Sequence, residues 1–231
     1  MCRKEIYLDY LRARGRDNKF LYRCGCDYIE SGWSLVNKVF LDISHGYGDT
    51  GTVQNGVMEA DRAMVLGFGV QSFLTHGHAT EYTVRMTPDL FPFDMFGPDC
   101  RFTLRARARQ AWEWHADLFV SLHFDSAVVN MAAHGPWVAY HDPNSRAVAD
   151  CIQDSLGRDS RWSRVRYKNY AVLRQAAKYK RTREMPAVLV EGGYLTNPVE
   201  AAMIRSADIT NLALRIAIGI KVWFENERND T

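Results

Sequence analysis

The stretch Val39–Asp61, VFLDISHGYGDTGTVQNGVMEAD, decides how the rest of the chain is read. Its apolar opening, Val39–Ser44, predicts a buried strand that ends on His45. Gly46, Gly48, Gly51 and Gly56 punctuate the loop that follows. A helix is predicted from Val57 to Thr75, with Glu59 in its opening turn and Met64, Val65, Phe68 and Val70 among polar neighbours. A strand that delivers a histidine at its tip, followed by a loop that returns a carboxylate, is one way to begin a metal site. Two later apolar runs also end on a chemically useful residue: LFVSL on His123 and AVLV on Glu191.

Working outward, Glu81–Thr87 is a short β-rich run stopped by Pro88, and Pro88–Cys100 reads as a loop. A helix over Thr103–His115 leads into a second buried strand, Asp117–Phe124. Trp137–His141 is a third apolar run. Pro143 opens a helix that Gly157 ends, and Arg158–Glu184 reads as a basic connection. Ala187–Val190 is the last buried strand, Asn197-Pro198 starts a short helix, and Ile209–Phe224 is a long amphipathic one. Nearly continuous apolar strands separated by helices predict an α/β fold whose sheet is covered on both faces. Ligands in such sheets sit at the carboxyl ends of strands, where His45, His123 and Glu191 all fall. Residues 1–38 follow no sustained period apart from a short helical pattern around Ile6–Arg14. They are expected to be an N-terminal extension to a single catalytic domain over 39–228.

Composition narrows the function classes. The 231 residues are 47% hydrophobic and 24% charged, as in an ordinary globular domain. A net charge of only +2, with no basic run interleaved with aromatics, argues against nucleic acid. No run approaches the ~18 apolar residues of a membrane span. Five cysteines (Cys2, Cys24, Cys26, Cys100 and Cys151) include no C-x-x-C pair, so free thiols in a reducing compartment are expected. Polar and charged residues follow Arg3 and Lys4 where a signal peptide would carry its apolar core. Synthesis in the cytoplasm without a signal peptide is therefore expected.

A hydrolytic zinc site takes three His or carboxylate ligands and keeps one position open. His45, Glu59 and His123 would supply that set. Glu191 would be the second carboxylate that moves the proton, and Asp125 and Ser126 would support the ligands from outside. The plainer reading makes each histidine a locally satisfied polar residue and Glu59 a carboxylate favoured at a helix N-terminus. Residue pattern alone leaves the two readings level. Glu191 leans towards function, because a carboxylate ending so apolar a strand is costly to bury without a partner.

Three segments resemble the zinc-dependent N-acetylmuramoyl-L-alanine amidases of the third amidase family, which includes cell-wall amidases and phage endolysins. LDISHGYGDTG with NGVMEAD is similar to the family's opening motif, LRARARQAWEWHADLFVSLHFDSA to its middle motif, and MPAVLVEGGYLTNPVEAAMI to its closing motif. The resemblance runs from about Val39 to Ile204. It implies Zn2+ bound by His45, Glu59 and His123, with Glu191 catalytic, on a twisted, mainly parallel sheet with helices on both faces. The activity implied is hydrolysis of the amide joining the lactyl group of N-acetylmuramic acid to L-alanine, with peptidoglycan as substrate. A monomeric endolysin that reaches the cell wall after release is the expected setting. A wall-binding module without turnover, or a zinc hydrolase of another peptide amide, are the alternatives.

Ser44, Tyr47, Trp112 and Phe124-Asp125 depart from the motifs without removing a ligand or the base. Other positions carry weaker expectations: His76 and His78 as a second metal pair, His134 and His141 near the cleft, and His115 capping a helix. Trp112, Trp114 and Trp137 are read as core or sugar platforms, and Lys178–Arg183 as a solvated insertion.

Overall fold

The computed structural model describes residues 36–46, 48–76, 81–87, 104–158, 160–178 and 185–229. In chain order the elements are β1 (Asn37–Ile43), β2 (Val53–Gln54), β3 (Val57–Met58), α1 (Glu59–Thr75), β4 (Tyr82–Met86), α2 (Leu104–Glu113) and β5 (Leu118–Asp125). There follow β6 (Trp137–Tyr140), α3 (Arg146–Leu156), β7 (Val165–Tyr167), α4 (Ala171–Ala177), β8 (Ala187–Tyr194), α5 (Pro198–Arg205) and α6 (Ile209–Asn229). Six strands form one sheet in the order β4-β1-β5-β8-β6-β7. β4, β1, β5 and β8 are parallel; β6 runs antiparallel to β8, and β7 follows the direction of β6. The α/β class expected from the sequence is the one found.

Alternation along each strand sorts the core into two layers. Val39, Leu41, Ile43, Val120, Leu122, Val188 and Val190 face a layer completed by α1, α3 and α6. Phe40, Phe119, Trp137, Ala139 and Leu189 face the other, with α2 and α4, and the Phe40 and Phe119 rings stack 5.7 Å apart. Both faces are covered, so the central strands read as unbroken apolar runs. α3 and α6 touch at Gly219, where an added Cβ would lie 2.5 Å from Ile152 Cα. Only a residue without a side chain allows that approach. No described helix is long and apolar enough to cross a membrane.

One buried polar cluster interrupts the α2 side. Asp42, on β1, is fully buried, and its carboxylate accepts from Arg107 Nη1 at 3.2 Å, Thr87 Oγ1 at 3.0 Å and Ser121 Oγ at 2.7 Å. Arg107 Nη1 also donates to the Ile43 carbonyl at 3.2 Å, at the end of β1. The pair thus fastens α2 to the point where the chain turns towards His45.

Several boundaries differ from the sequence expectation. Val57 and Met58 are a strand, not a helix turn: Asn55 and Gly56, at φ 50° and 71°, make a hairpin that returns the chain before Glu59. The supposed connection Arg158–Glu184 contains β7 and α4, each too short to show a period. β8 does not end at Val190 but runs on to Tyr194, and pairing with β5 shifts between His123 and Asp125. Gly192-Gly193 thus lies within β8, at the shift in its pairing with β5. Pro88–Cys100 and residues 1–35 lie outside the described residues.

The direction of β6 matters for the site. β5 and β6 flank β8 on either side, and the carboxyl end of β5 and the amino end of β6 share one end of the sheet. The segment 126–136 that joins them therefore passes over the carboxyl end of β8.

Truncating one partner of a buried charge pair strands the other. Arg107→Met is expected to destabilise the fold by about 3–5 kcal/mol, read from urea unfolding midpoints. A change near zero would mean that Asp42 is satisfied without it.

Candidate metal centre

β1 leaves the sheet at Ser44, whose N–H still donates to the Leu122 carbonyl at 3.2 Å. His45 then adopts a left-handed conformation, φ 58°, and Gly46 and Asp49 pair backbone to backbone at 2.7 and 3.0 Å. This tight loop brings Asp49 Oδ2 within 2.8 Å of His45 Nδ1, while Asp49 Oδ1 accepts from the Gly51 N–H at 2.9 Å. A carboxylate on Nδ1 fixes the ring and turns Nε2 towards Glu59. Asp49 was not singled out from the sequence. The nearby signal was its place in the Gly-Asp-Thr-Gly run four residues after His45.

Glu59 is the first residue of α1 and is almost wholly buried. Its Oε2 accepts from the Thr52 N–H at 3.0 Å, and its Oε1 from the Phe124 N–H at 3.2 Å. The same Oε1 lies 3.0 Å from His45 Nε2 and 3.2 Å from His123 Nδ1. The two imidazoles meet edge to face with centroids 5.3 Å apart. Donor atoms of His45, Glu59 and His123 all fall within 4.8 Å of one another. Four ligands about 2.0–2.1 Å from a tetrahedral zinc stand roughly 3.3 Å apart, so the spacing and the two-nitrogen, one-carboxylate chemistry fit that ion.

The charges are coupled. The hydrogen bond to Glu59, which outweighs the cost of burial and is aided by Asp49, raises His45 to about 8. Burial alone would raise Glu59, but hydrogen bonds from His123, His45 and the Thr52 N–H hold it well below the ordinary carboxylate range.

Glu191 sits on β8 in register with His123 on one side and Trp137 on the other. Its Oε2 is buried with no hydrogen-bond partner among the described residues. Burial, and then the negative charges of Asp125 and Glu59, push its proton affinity well up, with Arg166 pulling the other way. The structure therefore gathers three of the expected residues at one point and puts the fourth on the neighbouring strand.

The remaining expectations fare differently. Asp125 accepts from Trp137 Nε1 at 2.8 Å and from the Ser126 N–H at 2.7 Å, so it braces Trp137 and not an imidazole. Trp137 is buried with the Arg166 guanidinium 4.2 Å from its centroid, and Trp114 carries Arg85 at 4.8 Å; both pack and offer no open sugar platform. His141 lies beyond β6 at the opposite end of the sheet, stacked on Tyr167 at 5.4 Å. Its run proved antiparallel to β8, which puts its last residue away from the cleft. His134 precedes β6, on the side of the site, and bonds the Ala132 carbonyl. His115 closes α2 at φ 60°. His76 caps α1, while His78, Tyr47, Cys24, Cys26 and 179–184 lie outside the described residues.

Residues 39–222 match the N-acetylmuramoyl-L-alanine amidase family. The chain belongs to that family. It is 29% identical over 178 residues to the endolysin of Bacillus phage SPP1, covering 75% of this chain and 60% of the endolysin. It is 30% identical over 193 residues to the probable cell wall amidase LytH of Staphylococcus aureus, covering 80% of this chain and 58% of LytH. This chain thus spans about 60% of the length of those two relatives. Among solved structures, the catalytic domain of CwlV, an amidase of this family from Bacillus (Paenibacillus) polymyxa, superposes with a TM-score of 0.66 at 28% identity. That match covers 82% of this chain and 99% of the CwlV domain. A Clostridium difficile family member at 24% identity, TM-score 0.69, shares the fold over 83% of this chain and 98% of its own.

Two outcomes follow from the geometry. An added Cβ at Gly51, φ 61°, would lie 2.6 Å from His45 Cδ2 and 2.7 Å from Glu59 Oε2. Gly51→Ala is expected to lower divalent-ion affinity at least tenfold with the circular dichroism spectrum unchanged. The pH dependence has a definite sign. His45 is raised from 6.5 to about 8, so its stabilisation of the metal-free protein is complete below 6.5 and lost as pH climbs through 8. Glu59 is lowered from 4.5, so its contribution is complete above 4.5 and lost on acidification. Thermal melts in EDTA should therefore peak between about pH 5 and 6.5, and zinc affinity should rise with pH up to about 8 as the ion displaces the His45 proton.

Proposed function

We propose that this chain is a zinc-dependent hydrolase of the amide between the lactyl group of N-acetylmuramic acid and L-alanine. In this reading residues 39–228 are the catalytic domain, residues 1–38 an extension, and the protein works as a monomer on peptidoglycan. One observation carries it: three donor atoms within 4.8 Å of one another stand beside a buried carboxyl whose Oε2 has no partner among the described residues. Family membership, the endolysin and the cell wall amidase among its relatives support the substrate.

His45, Glu59 and His123 would hold Zn2+. When bound, the ion supplies a Lewis acid for the scissile carbonyl and lowers the pKa of water from ~15.7 to ~7. Asp49 keeps the His45 ring turned so that Nε2 faces the other donors. Glu191 handles the proton. A carboxyl whose proton affinity is raised by burial can both accept a proton from the attacking water and return it to the departing alanine nitrogen. Its position in register with His123 puts it on the strand next to the donor set.

Glu191→Gln is expected to keep stoichiometric zinc and lose about 10²–10⁴-fold in turnover. His123→Ala should lose both zinc and turnover. The measurement pairs metal content with alanine amino termini newly released from purified walls. Near-normal release by Glu191→Gln would remove that residue from its role. Fragments whose new amino end is not alanine would move the chemistry to another amide.

A further inference from the structure

Seven large apolar side chains among the described residues are more than half exposed: Val53, Val128, Val129, Met131, Tyr167, Val199 and Met203. Scattered singly, such residues need no explanation. These are not scattered. Val53 lies in the hairpin after β1, Val128, Val129 and Met131 in the segment after β5, and Val199 and Met203 on α5 after β8. β1, β5 and β8 are parallel, so all six lie at the end of the sheet that carries His45, His123 and Glu191. Only Tyr167, at the end of β7, is at the other end, and there it stacks on His141.

The segment after β5 is built to hold its apolar tip outward. Asn130 N–H donates to the Ala127 carbonyl at 2.9 Å and Ala133 N–H to the Asn130 carbonyl at 3.0 Å, giving two successive turns. Thr196 Oγ1 accepts from the Ala127 N–H at 3.0 Å, Asn197 Nδ2 donates to the Ala133 carbonyl at 3.1 Å, and Glu200 Oε1 accepts from the Gly135 N–H at 2.7 Å. The frame is anchored on both sides of the tip to the turn after β8 and to α5. Fully exposed Val129 lies between those anchoring bonds.

The chemistry of the tip limits what it receives. Residues 126–136, SAVVNMAAHGP, contain no lysine or arginine, which a loop meeting an anionic lipid surface would carry. Their one aromatic ring is His134, whose Nδ1 is held by the Ala132 carbonyl at 2.9 Å; phenylalanine, tyrosine and tryptophan are absent. The large exposed side chains of the tip, Val128, Val129 and Met131, are apolar and suit aliphatic groups, and the amide of the proposed reaction leads directly into alanine.

We infer that Val128, Val129 and Met131, tied to the start of α5 with Val199 and Met203, form an apolar ledge for the peptide leaving the reacting amide, gripped by its methyl and methylene groups. The inference rests on the amidase reading for the identity of that peptide. It makes this segment a specificity-determining surface beyond the atoms that react.

The test is the double variant Val129→Ser/Met131→Gln in the full chain, with Ile218→Ser on the outer face of α6 as a surface control. On N-acetylmuramoyl-pentapeptide, KM should rise about tenfold with kcat unchanged. On N-acetylmuramoyl-L-alanine amide, both constants should match the parent. Equal losses on the two substrates, or none on the longer one, would overturn the ledge. A second arm needs no turnover: the same changes in a Glu191→Gln background, assayed for binding to purified walls, peptide-free glycan strands and anionic vesicles. Binding confined to peptide-bearing walls and weakened by the double variant is the expected result, even if the parent released no alanine termini. Parent binding to glycan or vesicles as strong as to walls would overturn the assignment to peptide.

Discussion

A single carboxylate oxygen governs this end of the sheet. Glu59 Oε1 stands at 3.0 and 3.2 Å from the nitrogens of two imidazoles that arrive on different strands, and it takes a backbone N–H besides. That meeting needs β1 and β5 parallel and in the register Ile43 to Leu122, so that His45 and His123 emerge side by side. It also needs the Asn55-Gly56 hairpin to return the chain to the place where α1 begins. Strand register, turn and helix start are three separate demands, and Glu59 is where they must agree.

Two carboxylates in one cleft have been given opposite characters by their surroundings. Glu59 is surrounded by donors and stays ionised; Glu191 is buried, its Oε2 meets no donor among the described residues, and it faces two negative neighbours, so it keeps its proton more readily. Separating two like groups in this way is how a single site assigns one to hold charge and another to move protons. Asp125 takes part twice. It braces Trp137 through the indole N–H, and its charge adds to the field at Glu191.

Much of this was legible in the sequence because apolar strands in a two-faced sheet leave long, unambiguous runs, and the residues ending those runs are conspicuous. His45, His123 and Glu191 stood out for that reason, and Glu59 through its place at a helix start. What stayed hidden depended on geometry that no run encodes. Asp49 reaches His45 only because Gly46 and Asp49 bridge across a turn. β7 and α4 are too short to display periodicity. The antiparallel direction of β6, which removed His141 from the cleft, leaves no trace in an apolar tetrapeptide. Gly192-Gly193, inside β8, falls where its pairing with β5 shifts, an irregularity that no apolar run marks.

The Asp42 cluster has a consequence for how the chain finds this arrangement. Neighbouring residues on β1 point to opposite faces, so sliding the strand by one position would swing Asp42 into the aliphatic layer under α1 and α6 and tear it from Arg107. Phe40 would lose its partner Phe119 in the same move. A miswound sheet of that kind would carry an ion stranded in hydrocarbon, and the penalty falls on the very strand whose last residue must arrive at Glu59. The cluster thus penalises an alignment of β1 in which the histidines would miss each other.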